Sequence, residues 1–152
     1  MERRIVTRCA KRVAVLLGGV LTTGSLAAAD RELADGWQFQ REGSVAWQTV
    51  RVPHDWAISG PFDTSSTDGG TGKLPWKGRG FYRTTLELTA DESAVLSAGG
   101  RAYLTFDGVM ASPQVKVNGA KAGEGDYGYL GLTLDVTPWL KLGPNLVEVT
   151  AD

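Results

Sequence analysis

The sequence of 152 residues predicts an all-β domain, a jelly-roll sandwich of two antiparallel sheets, preceded by a cleaved signal peptide. Three observations carry that expectation. Apolar and polar residues alternate with period two wherever a period is visible, the pattern of strands with one buried and one wetted face. About eight or nine such runs recur at roughly 8 to 12 residue intervals between turn signals. No long amphipathic helical pattern interrupts them, which argues against a doubly wound or barrel α/β fold.

Residues 1–29 read as an export leader. Arg3, Arg4, Arg8, Lys11 and Arg12 form a basic start, Val13 to Leu26 an apolar run, and Ala27-Ala28-Ala29 a small-residue cleavage site. The apolar run falls short of the ~20 residues of a spanning helix, so cleavage after Ala29 is expected rather than membrane anchorage, with a secreted or periplasmic product. The domain then spans 30–152. Trp37-Gln38-Phe39-Gln40 and Trp47 to Val52 read as the first strands, followed by Phe81 to Leu88 and Ala102 to Asp107. Asp91 to Ala98 reads as a surface excursion between strands. Val115 and Val117 lead into Asn118-Gly119, a hairpin signal because a type I′ turn needs positive φ at both central residues, and Lys121-Ala122 begin the return strand. Leu130, Leu132, Leu134 and Val136 alternate with Gly131, Thr133 and Asp135, which predicts one wholly apolar face. Thr137-Pro138-Trp139-Leu140 reads as one helical turn, with Thr137 as N-cap and Pro138 at the first helical position. Gly143-Pro144-Asn145 turns the chain into a last strand, Leu146 to Thr150.

Charge and composition narrow the function. Five of the 16 Lys and Arg, but only one of the 17 Asp and Glu, precede residue 30, which leaves the domain at a formal −5. An acidic domain without a basic cluster is a poor nucleic-acid binder, because phosphate neutralisation needs many cations. Cys9 is the single cysteine and lies in the leader, so the domain has no disulfide and no thiolate nucleophile. One histidine and no cysteine exclude a zinc site of the usual kind. Asp63 to Gly69 lacks the ligand alternation of a calcium loop, and Gly69-Gly70-Thr71-Gly72-Lys73 lacks phosphate-loop spacing. No metal or cofactor is expected.

The chemistry-bearing residues gather in one stretch. Val52-Pro53-His54-Asp55-Trp56 puts the single histidine, an acid and a tryptophan beside a proline, and it runs into a Gly/Ser/Thr-rich loop, Asp63 to Gly80, that holds Asp68, Trp76 and Arg79. Loops bearing aromatics on a rigid scaffold are common binding sites. His54 and Asp55 read either as pins of that loop or as an oriented pair, although neighbours on an extended chain point to opposite faces. Trp56 and Trp76 read either as plugs of the sandwich end or as rings that stack on a sugar, whereas Trp37, Trp47 and Trp139 are expected in the core. Glycosidic hydrolysis uses two carboxyls about 5 to 9.5 Å apart, and no such pair can be placed among these strands. A Ser-His triad is equally unsupported, since no Gly-x-Ser-x-Gly elbow is present.

Six segments then follow in order: Val52-Pro53-His54-Asp55-Trp56-Ala57-Ile58-Ser59-Gly60-Pro61-Phe62-Asp63, Gly80-Phe81-Tyr82-Arg83, Leu104 to Val109, Val115 to Gly119, Leu134 to Pro138, and Gly143 to Leu146. This series resembles the N-terminal sugar-binding domain of glycoside hydrolase family 2, especially its bacterial β-galactosidases, over Trp37 to Asp152. The resemblance implies a galactose-binding-like jelly roll packed against an immunoglobulin-like sandwich and a TIM barrel holding both catalytic glutamates. It also implies that the loop Asp63 to Gly80 leans toward that barrel's active site. Family members often carry a histidine after the Val-Asn-Gly hairpin; Gly123 to Gly128 here has none. The expected role is therefore the sugar-binding or scaffold module of a β-galactosidase-like enzyme. The catalytic barrel and its glutamates are expected to be absent from this chain, which alone would be inactive. The expected partners are a β-glycoside or galactoside and the family's downstream domains, with no nucleic acid and no membrane once the leader is gone. His54, Asp55, Trp56, Asp68, Trp76 and Arg79 are the candidate carbohydrate contacts. The alternatives are a free-standing carbohydrate-binding module and a structural, partner-docking domain.

Overall fold

A computed structural model of the chain describes residues 6–10, 30–61, 63–65 and 78–152. These residues form an all-β sandwich of two antiparallel sheets. Ten strands are described: β1 (Val6–Ala10), β2 (Asp30–Glu32), β3 (Trp37–Arg41), β4 (Gln48–Val50), β5 (Gly80–Leu88), β6 (Tyr103–Gly108), β7 (Gln114–Val117), β8 (Ala120–Glu124), β9 (Leu132–Asp135) and β10 (Gly143–Ala151). The larger sheet has the order β4-β3-β5-β10-β7-β8 and the smaller β2-β1-β6-β9.

The nine-residue strands β5 and β10 form the spine, paired in continuous register from Gly80 opposite Ala151 to Leu88 opposite Gly143. Their period-two patterns coincide: Tyr82, Leu86, Leu88, Val147 and Val149 are buried, while Thr85, Glu87 and Leu146 face out. Trp37 and Phe39 extend this inner row on β3, Val115 and Val117 on β7. Leu104 and Phe106 from the smaller sheet, with Val136 just after β9, close over it to make a single core cluster. Each large side chain so buried contributes about 1.5–3 kcal/mol. That burial selects this register, because a slip of one residue would turn every inner side chain to water.

The hairpin at Asn118-Gly119 has the positive φ values, 51° and 81°, that its sequence demands. Elsewhere the tertiary structure departs from the periodic reading. The strand expected from Trp47 to Val52 is only Gln48–Val50. Trp47 lies under the Arg83 guanidinium (3.9 Å) on the outer face, not in the core. The excursion after β5 is a helix, α1 (Ala90–Ser97), started by a full capping box in which Thr89 Oγ1 accepts from Glu92 N–H and the Glu92 carboxylate accepts from Thr89 N–H. The turn Thr137–Trp139 is 3₁₀ with Val136 at its N-cap; the Thr137 hydroxyl is not a cap but accepts from Ala102 N–H across to the neighbouring strand. Leu130 leaves the apolar face predicted for it and is exposed.

β1 falls inside the stretch that the sequence marks as a leader. Its backbone runs between β2 and β6, with Arg8 opposite both Glu32 and Thr105.

Candidate functional site

The segment after β4 runs from the residues preceding β3 to the start of β5. Val52 is buried, and its N–H donates to Ala34 O (2.9 Å) at the start of β3. The Val52–Pro53 peptide is cis. His54 then meets the first half of β5, with Nδ1 3.1 Å from Tyr82 Oη, and Trp56 reaches Gly80 at the β5 start. Phe39 is the common floor: its ring centroid lies 4.9 Å from His54, 4.9 Å from Tyr82 and 6.1 Å from Trp56, which stacks on it at 27°. The aromatics close so tightly over Gly80 that a Cβ there would sit 3.0 Å from Phe39 Cε2, 3.2 Å from Tyr82 Cε2 and 3.3 Å from Trp56 Nε1. Asp55 turns away and accepts from Ala57 N–H (3.0 Å), opening the 3₁₀ turn Ala57–Ser59.

The electrostatics follow from this packing. Burial holds the His54 imidazole below its ordinary pKa, with the Asp55 charge pulling the other way. Burial first and the Asp55 charge second push the Tyr82 phenol well above its ordinary range, so it stays protonated. A neutral imidazole against a phenol makes a hydrogen-bonded pin. No nucleophile stands beside it for the imidazole to activate among its described contacts.

Arg79, one residue before β5, is exposed and ion-paired through Nε to Asp152 Oδ1 (2.8 Å). Its N–H donates to Glu42 Oε2 (3.4 Å), and its carbonyl accepts from Glu42 N–H (2.8 Å). The structure thus gathers His54, Asp55 and Trp56 along Phe39 and Tyr82, with Arg79 at the same end of the sandwich. Asp68 and Trp76 lie outside the described residues. Phe39, Tyr82 and Gly80 complete the cluster and escape the sequence reading, because each is an ordinary inward position of a strand pattern. Among the described residues no three of His, Cys, Asp and Glu converge as a metal site. No described helix is long and apolar enough to cross a membrane.

No protein-family model matches the chain. A β-galactosidase of Bacteroides ovatus, BoGH2A, is 37% identical over 124 residues, 79% of this chain and 14% of that enzyme. Among solved structures, a β-glycosidase of Bacteroides vulgatus superimposes with TM-score 0.65 at 27% identity, over 78% of this chain and 16% of the other. A glycosyl hydrolase family 2 member of Bacteroides cellulosilyticus does so with TM-score 0.65 at 25% identity, over 80% and 17%. The chain thus spans less than a fifth of each relative. With six motifs in order, one shared sandwich and this identity, the chain belongs to glycoside hydrolase family 2 and corresponds to the N-terminal domain of its β-galactosidase-like members.

Proposed function

We propose that this chain is the sugar-binding and scaffold module, a jelly roll, of a β-galactosidase-like glycoside hydrolase, and that bond cleavage belongs to carboxylates outside it. The observation that carries the reading is the state of the His54 cluster. Its one basic side chain is spent on Tyr82, its one carboxylate on Ala57 N–H, and its tryptophan on Phe39. That is the construction of a brace, not of an acid–base pair, which needs two carboxyls held apart around a bond. The brace packs on Gly80, where the loop that includes Asp68, Trp76 and Arg79 ends, and that loop is the proposed carbohydrate contact. The leader directs the module out of the cytoplasm, to the periplasm or beyond. The test is incubation of the purified chain with p-nitrophenyl β-galactopyranoside, alongside a galactoside titration followed by tryptophan fluorescence. The expected result is no p-nitrophenol above the uncatalysed rate and a saturable fluorescence change. Turnover that survives repurification would overturn the assignment.

A further inference from the structure

Away from the His54 brace, exposed apolar side chains concentrate in the loop between β8 and β9. Tyr127, Tyr129 and Leu130 are 60%, 56% and 66% exposed. The alternation that ends in Leu132, Leu134 and Val136 would carry Leu130 inward, yet Leu130 N–H closes a turn onto Tyr127 O (3.4 Å) and its side chain faces water. The loop backbone is firmly seated. Gly125 N–H donates to Pro113 O (2.9 Å), and a Cβ at Gly128 would stand 2.6 Å from Met110 Cα, at Gly131 3.3 Å from Phe106 O. Glycines therefore press the backbone onto the scaffold and leave the two phenol rings outside it, centroids 5.3 Å apart and tilted by 50°. Rings held this way lose little freedom on meeting a ligand, the main saving that preorganisation brings.

We propose that the Tyr127–Leu130 loop is a stacking site for a neutral hexopyranose of a β-linked glycan. The C–H face of a pyranose ring is apolar and matches a phenol face, while its hydroxyls can pair with the phenol oxygens and with the carboxylate of Asp126, which precedes Tyr127 in sequence. Charge selects the sugar. Residues 122–131 contain Glu124 and Asp126 but no Lys or Arg, and the neighbouring Lys121 is paired with Glu124 (2.8 Å). With Lys121 and Glu124 offsetting each other, Asp126 leaves the rim net negative, which disfavours a uronate or a sulfated sugar. Size selects a sugar over a protein: three side chains offer at most a few hundred Å², against the ~1,000 Å² that a stable protein interface needs. The loop lies at the end of the sandwich where β5 begins and β10 ends, as Arg79 does, since Ala111, next to Met110, exchanges backbone hydrogen bonds with Asp152. The site rests on the carbohydrate reading above but puts the contact on a different loop.

Amide chemical shifts of the full ¹⁵N-labelled chain, titrated with lactose, cellotetraose, β-1,4-galactotetraose and trigalacturonate, test it. The expected result is saturable shifts at Tyr127 to Leu130 with a neutral oligosaccharide at a Kd of about 1 mM, and binding weaker by about tenfold in Tyr127→Ala and Tyr129→Ala. Tyr129→Phe, which keeps the ring, stays within about twofold, and trigalacturonate binds more weakly than any neutral sugar that binds. Shifts confined to residues 54–79 overturn this site while the module assignment stands. Self-association that Tyr127→Ala abolishes, without sugar-dependent shifts, also overturns it in favour of a docking face. Hydrolysis of the aryl galactoside strikes the module assignment alone.

Discussion

Asn145 shows how much one residue can hold. It is fully buried, and its amide nitrogen donates to Lys141 O (2.7 Å), Gly143 O (2.8 Å) and, at longer range, Leu86 O (3.4 Å). Its oxygen accepts from Lys141 N–H (2.8 Å) and from Asn118 Nδ2 (2.8 Å). One side chain thus ties the β9–β10 connection to β5 and to the β7–β8 hairpin. Asn145→Ala strands several of these buried groups, so a loss of about 3 kcal/mol is expected in urea unfolding at unchanged m. In sequence the residue is only the last position of a Gly-Pro-Asn turn; nothing local announces a partner 59 positions earlier. His54 carries a second prediction. Its folded pKa lies below the ordinary 6.5, so as pH falls the unfolded chain takes up the proton first. Its contribution to stability is complete above that value and declines as pH falls below it. His54→Asn should therefore flatten the melting temperature between about pH 7.5 and pH 5 relative to the parent; equal slopes would show that His54 does not titrate against folding. The histidine's importance is legible in the sequence, but its partner is not, since Tyr82 is one inward residue among several on a strand.

At the scale of elements, glycines separate what a loop requires from what it tolerates. A Cβ at Gly123 on β8 would lie 2.3 Å from Leu134 Cδ2, the mobile end of a half-buried side chain. At Gly128 it would meet Met110 Cα at 2.6 Å and Val109 O at 2.9 Å, both main chain. Leu134 can change rotamer, whereas the Val109–Met110 backbone cannot move without disturbing β6. Gly128→Ala should therefore cost about 2–3 kcal/mol in thermal unfolding and Gly123→Ala clearly less; the reverse order would mean that the β8–β9 loop is not seated on Met110. The helix α1 gives the complementary case. Thr89-x-x-Glu92 is a capping box readable in the sequence, and Thr89→Ala should lower stability by about 1 kcal/mol, seen as a lower urea midpoint. A surface excursion was nonetheless the natural expectation, because no apolar stripe marks the segment and none of its residues is buried.

At the scale of the whole molecule, the smaller sheet raises a question about export. β6 pairs with β9 on one side and with β1 on the other. Removing residues 1–29 deletes β1, whereas the β5–β10 pairing involves none of those residues. A chain of residues 30–152 is expected to fold, with amide exchange on β6 faster by at least about tenfold than in the full chain on the edge that β1 covers. Unchanged protection would show that β1 contributes nothing to that edge. The sequence by itself determined the all-β class, the two-faced strands, the type I′ hairpin and the family, because each rests on local periodicity, on the φ needs of single residues or on the order of short motifs. Only the tertiary structure decided which sheet each strand joins, that Trp56 lies on Phe39 while Trp47 lies outside under Arg83, and that Leu130 turns to water. Those outcomes depend on contacts between residues far apart in the chain, where packing overrides the local pattern that a sequence displays.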